Sequence, residues 1–151
     1  MTMFTWRNYK PGDERYFNCR LLPKRGTDEW NTFVKNCETR NATTFALIDE
    51  DGTVRGVAGL VQWLPGNCEA WSAVNDDTLR LKDMPKAVRE LLDYLQETLR
   101  IPRVWAVADP DEIDVLDGWL IYQGFEFEAL IRRWGPAGND QYFYARVREW
   151  A

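Results

Sequence analysis

Three β-type segments, joined only by tight turns, occupy the middle of the sequence. They cover residues 44–49, 54–63 and 68–74. The dipeptide Asp51-Gly52 is typical of a two-residue hairpin, and Pro-Gly-Asn at 65–67 favours a second turn. A strand that runs parallel to its predecessor needs a much longer connection than either turn provides. The three segments are therefore predicted to form an antiparallel meander.

A helical pattern follows the meander. Apolar residues recur there on one face of a 3.6-residue period, at Met84, Val88, Leu91, Leu92, Leu95 and Leu99. Pro102 ends this helix, because proline cannot continue the hydrogen-bond ladder. Residues 104–108 then form an apolar run without alternation, which predicts a strand covered on both faces.

The two ends of the chain complete the order of elements. We expect a mixed α+β fold in the order β-α-α-β-β-β-α-β-α-β-β, with a mostly antiparallel sheet of six or seven strands. Residues 1–151 are predicted to form one domain, which suits their number. The other predicted elements are a strand at 4–7, helices at 13–22 and 27–37, a helix between Asp109 and Gly124, and strands at 125–134 and 141–147.

Composition excludes several kinds of chemistry. Histidine is absent, which removes the commonest general base, the Ser-His and Cys-His nucleophile pairs and every zinc site that contains histidine. The three cysteines lack CxxC spacing, so they indicate neither a disulfide framework nor a redox pair. A net charge of −5 makes nucleic-acid binding by bulk charge unfavourable. With no apolar span and no secretory signal visible, we expect a cytoplasmic protein without a bound metal.

The order of elements, over nearly the whole chain, resembles the GNAT acyltransferase fold. The hairpin at 45–59 is similar to the second and third strands of that family, and residues 116–126 resemble its last helix with a Gly-Phe exit, here Gly124-Phe125. The resemblance implies a fourth and a fifth strand that diverge near Val74. Backbone groups exposed there would pair with the pantetheine arm of acetyl-CoA, the implied cofactor.

The phosphate-binding loop of that family has no equivalent here. Active members hold the cofactor's pyrophosphate on a glycine-rich loop that opens the next helix, where backbone N–H groups face the phosphates. Residues 75–87 contain no glycine, and Pro85 removes one donor. Arg80 and Lys82 are the candidates for binding the cofactor instead, although both also fit a solvated surface. Asp76 and its acidic neighbours would repel phosphate.

The family's catalytic acid is also displaced. It is often a tyrosine four residues before the last glycine, a position that Leu120 holds here. Tyr122 is a candidate, although an offset of two residues turns it to another helix face. Glu69 on the fourth strand and Asp76 at its end are candidate general bases, and each also fits an ordinary surface charge.

A narrower resemblance concerns residues 70–74, 80–81, 85–92 and 104–107, which look like the small GNAT-like proteins of tailed bacteriophages, including an internal virion protein. It implies a protein that acts without catalysis in a bacterial host or in the virion. Such a protein would bind a virion or host protein as a virion component, an assembly factor or a host-directed effector. The alternative is a divergent acetyl-CoA-dependent N-acetyltransferase for an amine of a protein or small molecule. A third interpretation is an α/β domain that only mimics the family's meander.

The last strand suggests where a protein partner would bind. One of its faces carries Tyr142, Tyr144 and Arg146, and the other carries the more apolar residues 143, 145 and 147. We expect the apolar face to pack on the core. Tyrosine and arginine are enriched at binding hot spots, so the first face, with Trp134 and Trp150 near its rim, is predicted to contact the partner. An ordinary amphipathic strand is the alternative.

Overall fold

The computed structural model describes residues 3–78 and 81–149. Within these residues the strands are β1 (Thr5–Asn8), β2 (Thr44–Ile48), β3 (Val54–Leu64), β4 (Asn67–Val74), β5 (Arg103–Ala108), β6 (Glu126–Ile131) and β7 (Gln141–Val147). The α-helices are α1 (Asp28–Thr39), α2 (Met84–Thr98) and α3 (Ile113–Tyr122). Short 3-10 turns cover Asp13–Tyr16, Asn41–Thr43 and Pro110–Glu112.

The strands form one sheet in the order β1-β2-β3-β4-β5-β7-β6. β4 and β5 are parallel, whereas β1 with β2, β2 with β3, β5 with β7 and β6 with β7 are antiparallel. The predicted α+β class and the mostly antiparallel seven-stranded sheet are therefore confirmed. The chain also divides into two compact units, one made of residues up to 61 with 71–87 and the other of residues 62–70 with those from 88 on.

The first unit is organised around α1, whose predicted start is confirmed. Thr27 caps the helix, since its hydroxyl accepts a hydrogen bond from the backbone N–H of Trp30 at 3.2 Å. Trp30 and Cys37 are buried, and Phe33 meets the indole of Trp71 edge to face. The apolar face read from the sequence is thus the face that packs on the sheet.

The helix predicted at 13–22 is wrong, because the chain forms one 3-10 turn at Asp13–Tyr16, is extended at Phe17 and turns again where the N–H of Leu22 donates to the carbonyl of Cys19. Side-chain hydrogen bonds compete with the helix. The carboxylate of Asp13 accepts from the Arg7 guanidinium and from the N–H of Lys10, both at 2.8 Å. Further along, the N–H of Asn18 donates to the side chain of Asn75 instead of to a preceding turn. These bonds fix a turn followed by extended chain.

The second unit holds α3, β5, β6, β7 and most of α2. The apolar stripe of α2 is buried as predicted at Val88, Leu91 and Leu95, whereas Leu99 is exposed because the helix ends at Thr98. Gly124 has a φ of 88°, a left-handed conformation that only glycine adopts without strain, and it follows α3 directly after the cap.

The prediction that the face of β7 carrying Tyr144 and Arg146 is free to contact a partner is wrong. Tyr144 and Arg146 are only 1% and 2% exposed, and on the predicted core face Ala145 is 3% exposed whereas Val147 is 56% exposed. The tyrosine hydroxyl donates to Asp117 of α3 at 2.7 Å, and the guanidinium pairs with Asp93 of α2. The two helices therefore cover this face, and it is not a free partner surface. Trp134 is exposed, whereas Trp150 lies outside the described residues.

Candidate functional site

The pairing between β4 and β5 is short. It consists of Asn67 with Arg103, Cys68 with Val104 and Glu69 with Trp105, whereas β4 continues to Val74. Among the described residues, the paired register of β4 with β5 ends at Glu69 and Trp105, and β4 runs on beyond it. Val74 itself is buried.

The exit of β4 is tightly built. A Cβ added to Gly56 of β3 would lie 2.8 Å from the carbonyl oxygen of Ala73, which shows how closely the two backbones approach. The N–H of Asn75 donates to the carbonyl of Arg55 at 2.8 Å. The Arg55 guanidinium in turn donates to Asp49 at 2.7 Å and to Asp77 at 3.4 Å. The end of the strand is thus fixed to its neighbour and flanked by carboxylates.

The segment between β4 and α2 does not fit a pyrophosphate. Three of its backbone N–H groups are already used within it: Thr78 donates to Asn75, Leu81 to Thr78 and Met84 to Leu81. The next residue of α2 is proline, which has no N–H. Residues 75–87 contain no glycine, the residue that would let an anion approach the backbone closely.

The predicted phosphate-binding side chains give little compensation. Lys82 is exposed, and the carboxylates of Asp76 and Asp77 are exposed in the same segment. Arg80, the other predicted ligand, lies outside the described residues. The negative charges of these two carboxylates would repel a pyrophosphate bound to the same segment. The segment that follows β4 therefore lacks the glycine loop and much of the positive charge that would hold a pyrophosphate.

Glu69 lies in an environment of tryptophans. Its carboxylate is half-buried and accepts a hydrogen bond from the indole N–H of Trp63 at 3.1 Å. It stands opposite Trp105 in the β4–β5 register, and the indole of Trp105 donates to Asn67 at 2.6 Å. One indole bond leaves lone pairs of the carboxylate available, so Glu69 can accept a proton from an amine directly or through one water.

Tyr122 is the last residue of α3, and 44% of it is exposed. The Arg89 guanidinium lies 5.6 Å from the centre of its ring and also donates to its backbone carbonyl at 2.9 Å. In the described part of the chain, no hydrogen bond or ion pair joins Tyr122 to Glu69. The structure thus places these two candidates in separate environments, and their catalytic roles stay predictions. Leu120, at the family's tyrosine position, is buried.

Asn75 is a residue that the sequence analysis missed. It is 6% exposed, and its side chain accepts from the N–H of Asn18 at 2.7 Å and donates to the carbonyl of Tyr16 at 2.8 Å. It therefore ties the extended chain after the first 3-10 turn to the exit of β4. An asparagine directly after a strand was the available signal, but its partners are 57 and 59 residues away.

The described residues offer neither a reactive thiol nor a metal site. Cys19, Cys37 and Cys68 are free, and burial raises the pKa of the Cys37 thiol to about 12. Across residues 3–78 and 81–149, His, Cys, Asp and Glu side chains form no group of three or more that could hold a metal ion. No helix in that part of the chain combines the length and apolar character that crossing a bilayer requires.

Comparison with known proteins gives similarity in structure alone, since no family model and no curated protein matches the sequence. A GNAT-family acetyltransferase from Bacillus anthracis has a TM-score of 0.77 at 15% identity, with 95% of this chain and 94% of that one covered. A chimera of the spermidine N-acetyltransferase SpeG of Vibrio cholerae and hSSAT has a TM-score of 0.76 at 13% identity, with 95% of each chain covered. Ard1 from Thermoplasma volcanium has a TM-score of 0.76 at 15% identity, covering 97% of this chain and 99% of its own. The chain therefore has the GNAT fold.

Proposed function

We propose that this chain is a divergent acyl-CoA-dependent N-acyltransferase that holds its acyl donor mainly through the pantetheine arm. One observation carries the proposal: within a GNAT fold, the β4–β5 register ends at Glu69 and Trp105 while β4 continues to Val74. Backbone N–H and C=O groups of residues 71–74 would pair with the amides of the arm, as a neighbouring strand would. When bound, the donor supplies a thioester whose carbonyl carbon the amine attacks.

The chain's own residues would bind and orient the acyl donor and would deprotonate the acceptor amine. Residues 71–74 would fix the acyl donor, and positioning of this kind alone supplies a large part of the rate in acyl transfer. Glu69, held by the Trp63 indole, would take one proton from the acceptor's ammonium group through one water. The neutral amine would then form the amide as the C–S bond of the thioester breaks, and its second proton would leave with the thiol of CoA. Lys82, which is exposed just before α2, would meet the phosphate end of the donor.

The acceptor is an amine of a protein or small molecule. The similar structures are described as an acetyltransferase, as spermidine N-acetyltransferases and as Ard1, and an amine acceptor is the feature that we carry over to this chain. Sequence identities of 13–15% support a shared fold alone, so the names of those proteins do not identify the acceptor.

Calorimetry with acetyl-CoA tests the proposal, followed by a thiol-release assay with a panel of primary amines. We expect micromolar binding and acetyl-CoA-dependent release of CoA with at least one amine. Glu69→Gln should keep acyl-donor affinity within about twofold and lower kcat by about a hundredfold, as loss of a general base does. The matched control is Glu97→Gln, an exposed glutamate on α2. Failure to bind acetyl-CoA and its pantetheine analogue would refute the proposal.

A second candidate is a non-catalytic protein-binding function of the kind that the phage resemblance implies, in a bacterial host cell or a virion. Its specific support is the segment before α2, which lacks glycine and in which the N–H groups of Thr78, Leu81 and Met84 are already hydrogen-bonded. Leu120 at the tyrosine position agrees with it. Absence of acyl-donor binding, together with stoichiometric co-purification of a virion or host protein, would favour this candidate over the enzyme.

A further inference from the structure

β6 is an edge strand, since the order of the sheet ends with β7 and then β6. One side of β6 pairs with β7, and the described residues place no strand along its other side. Backbone N–H and C=O groups on such an edge can pair with a strand of another chain. The opposite edge of the sheet is β1, which has four residues, whereas β6 has six. The longer free edge is therefore that of β6.

Two large apolar side chains of β6 are left in solvent. Phe127 and Leu130 are 54% and 47% exposed. The ring of Phe127 meets those of Tyr142 and Tyr144 edge to face, at 5.6 Å and 5.7 Å between ring centres. The Tyr144 hydroxyl bonds to Asp117 of α3, so α3 covers β7 at this point. One strand further out the apolar surface continues onto β6 and stays half open.

The charges along β6 have opposite signs at its two ends. Glu126 and Glu128 lie at its start, Arg132 and Arg133 follow its end, and all four are exposed. Glu128 pairs with Arg103 of the same chain, whereas Glu126 and Arg132 form no ion pair with any residue that the structure describes. Charges of one sign on an edge strand block pairing with a second copy. A strand that is acidic at one end and basic at the other instead attracts its own copy in antiparallel orientation, because the unlike ends then meet.

The geometry of β6 selects a register for such a pair. The pairing of β6 with β7 is shifted between Phe127 and Ala129 and is regular over residues 129–131. A two-fold axis through two antiparallel strands requires one residue to lie opposite its own copy, because hydrogen-bonded and non-hydrogen-bonded pairs alternate along the strands. Leu130 is the centre of the regular stretch. A pair centred on it buries Leu130 against Leu130 of the second copy and brings Arg132 to the acidic start of the other strand.

We propose that β6 is a dimer interface whose occupant is β6 of a second copy of this chain, in antiparallel orientation. The contact joins the two sheets edge to edge, covers Leu130 and places Glu126 of each copy near Arg132 of the other. Because the same surface is used on both copies, the assembly closes at two chains and leaves no free β6 edge. A contact made by one strand from each copy is small, so the dimer dissociates in the micromolar range or above.

Sedimentation velocity of the full chain over a range of concentrations tests the proposal through its charges. Glu126→Lys and Arg132→Glu should each weaken the dimer about tenfold or more, because like charges then meet at both ends of the strand pair. An equimolar mixture of the two variants should regain the wild-type affinity within about threefold, since unlike charges again meet at both ends. The matched control is Glu97→Lys, the same charge change at an exposed position on α2, which should stay within about twofold of wild type.

Cross-linking tests the register without changing a charge. Leu130→Cys should form a disulfide between two copies under mild oxidation, because directly opposite Cβ atoms of paired strands lie about 4.5–5.5 Å apart. Val115→Cys, at a position of α3 that is 74% exposed, is the control and should cross-link far less. The wild-type chain measures any background from its own free cysteines.

Three results would overturn the inference. The first is a wild-type chain that stays monomeric up to about 1 mM, whether or not its β6 edge then binds an extended peptide of another protein. The second is a dimer that neither charge reversal weakens and that Leu130→Cys does not cross-link, since such a dimer forms on another surface. The third is a loss of dimer in Glu126→Lys and Arg132→Glu that their mixture does not restore.

Discussion

The buried guanidinium of Arg146 leads to a quantitative prediction about stability. It is 2% exposed, pairs with Asp93 and donates to the carbonyl of Gln123 at 2.9 Å, while its Nε has no acceptor among the described residues. Burial lowers the pKa of Arg146, and the Asp93 carboxylate opposes that shift. The side chain of Asp93 is 40% exposed, so the burial penalty falls almost wholly on the arginine.

Removing Asp93 and removing Arg146 should have unequal effects on the free energy of unfolding. Asp93→Ala leaves a buried charge without its counter-ion, which costs about 3–5 kcal/mol of unfolding free energy. Arg146→Met removes the buried charge, keeps a long apolar side chain and leaves a carboxylate that is already partly hydrated. Its main cost is the lost donor to Gln123, about 1 kcal/mol. Asp93→Ala should therefore be the more destabilising change by at least about 2 kcal/mol.

Urea denaturation at neutral pH measures this difference, with the double variant completing the cycle. The double variant should be about as stable as Arg146→Met, because no buried charge remains for Asp93 to neutralise. Arg103→Met is the control, since the pair of Arg103 with Glu128 is about one-third exposed on each side and should be worth less than about 1 kcal/mol. If Arg146→Met were as destabilising as Asp93→Ala, the reasoning from desolvation would be refuted.

Three further changes test other parts of the fold. Burial opposes ionisation of Asp49, but its hydrogen bonds, led by that from Arg55, outweigh burial and lower the pKa of the carboxyl. A lowered pKa gives stability that is lost as pH falls below about 4, so Asp49→Asn should flatten the loss of thermal stability in acid. Thr27→Ala should cost about 1 kcal/mol in urea denaturation through loss of the α1 cap, and Thr27→Ser much less. Gly59→Ala should lower the melting temperature more than Gly118→Ala, because a Cβ at Gly59 would lie 2.6 Å from a backbone oxygen whereas Gly118 lies in α3 with open space around it; equal effects would contradict the close approach.

Local periodicity was enough to predict the centre of the fold. The meander and α2 follow from turn chemistry and from a single apolar stripe, and both signals lie within each element. The predicted helix at 13–22 was wrong because its hydrogen bonds go to Asn75, a partner that no local pattern reveals. Likewise, the face of β7 with Tyr144 and Arg146 was predicted to be free because Arg146 is polar by type, whereas it is buried through its pairing with α2.

The candidate site was predictable only in part. The glycine-free segment before α2 is visible in the sequence, and the structure adds that the N–H groups of Thr78, Leu81 and Met84 are already hydrogen-bonded. Glu69 was a candidate because it is a carboxylate on the fourth strand. Its hydrogen bond from Trp63 depends on the pairing of β3 with β4, which the sequence does not give. Asn75 acts on a segment far away in sequence, so its role required the tertiary structure.

The central claim is that the pantetheine arm, held on β4, dominates recognition of the acyl donor. The direct measurement is calorimetry of the wild-type chain with acetyl-CoA and with acetyl-pantetheine, which lacks the phosphate-bearing half. Because the described chain offers no backbone cradle for phosphate, we predict dissociation constants that differ by less than about tenfold. Acetyl-CoA binding more than about a hundredfold tighter, or no binding of either compound, would contradict the account.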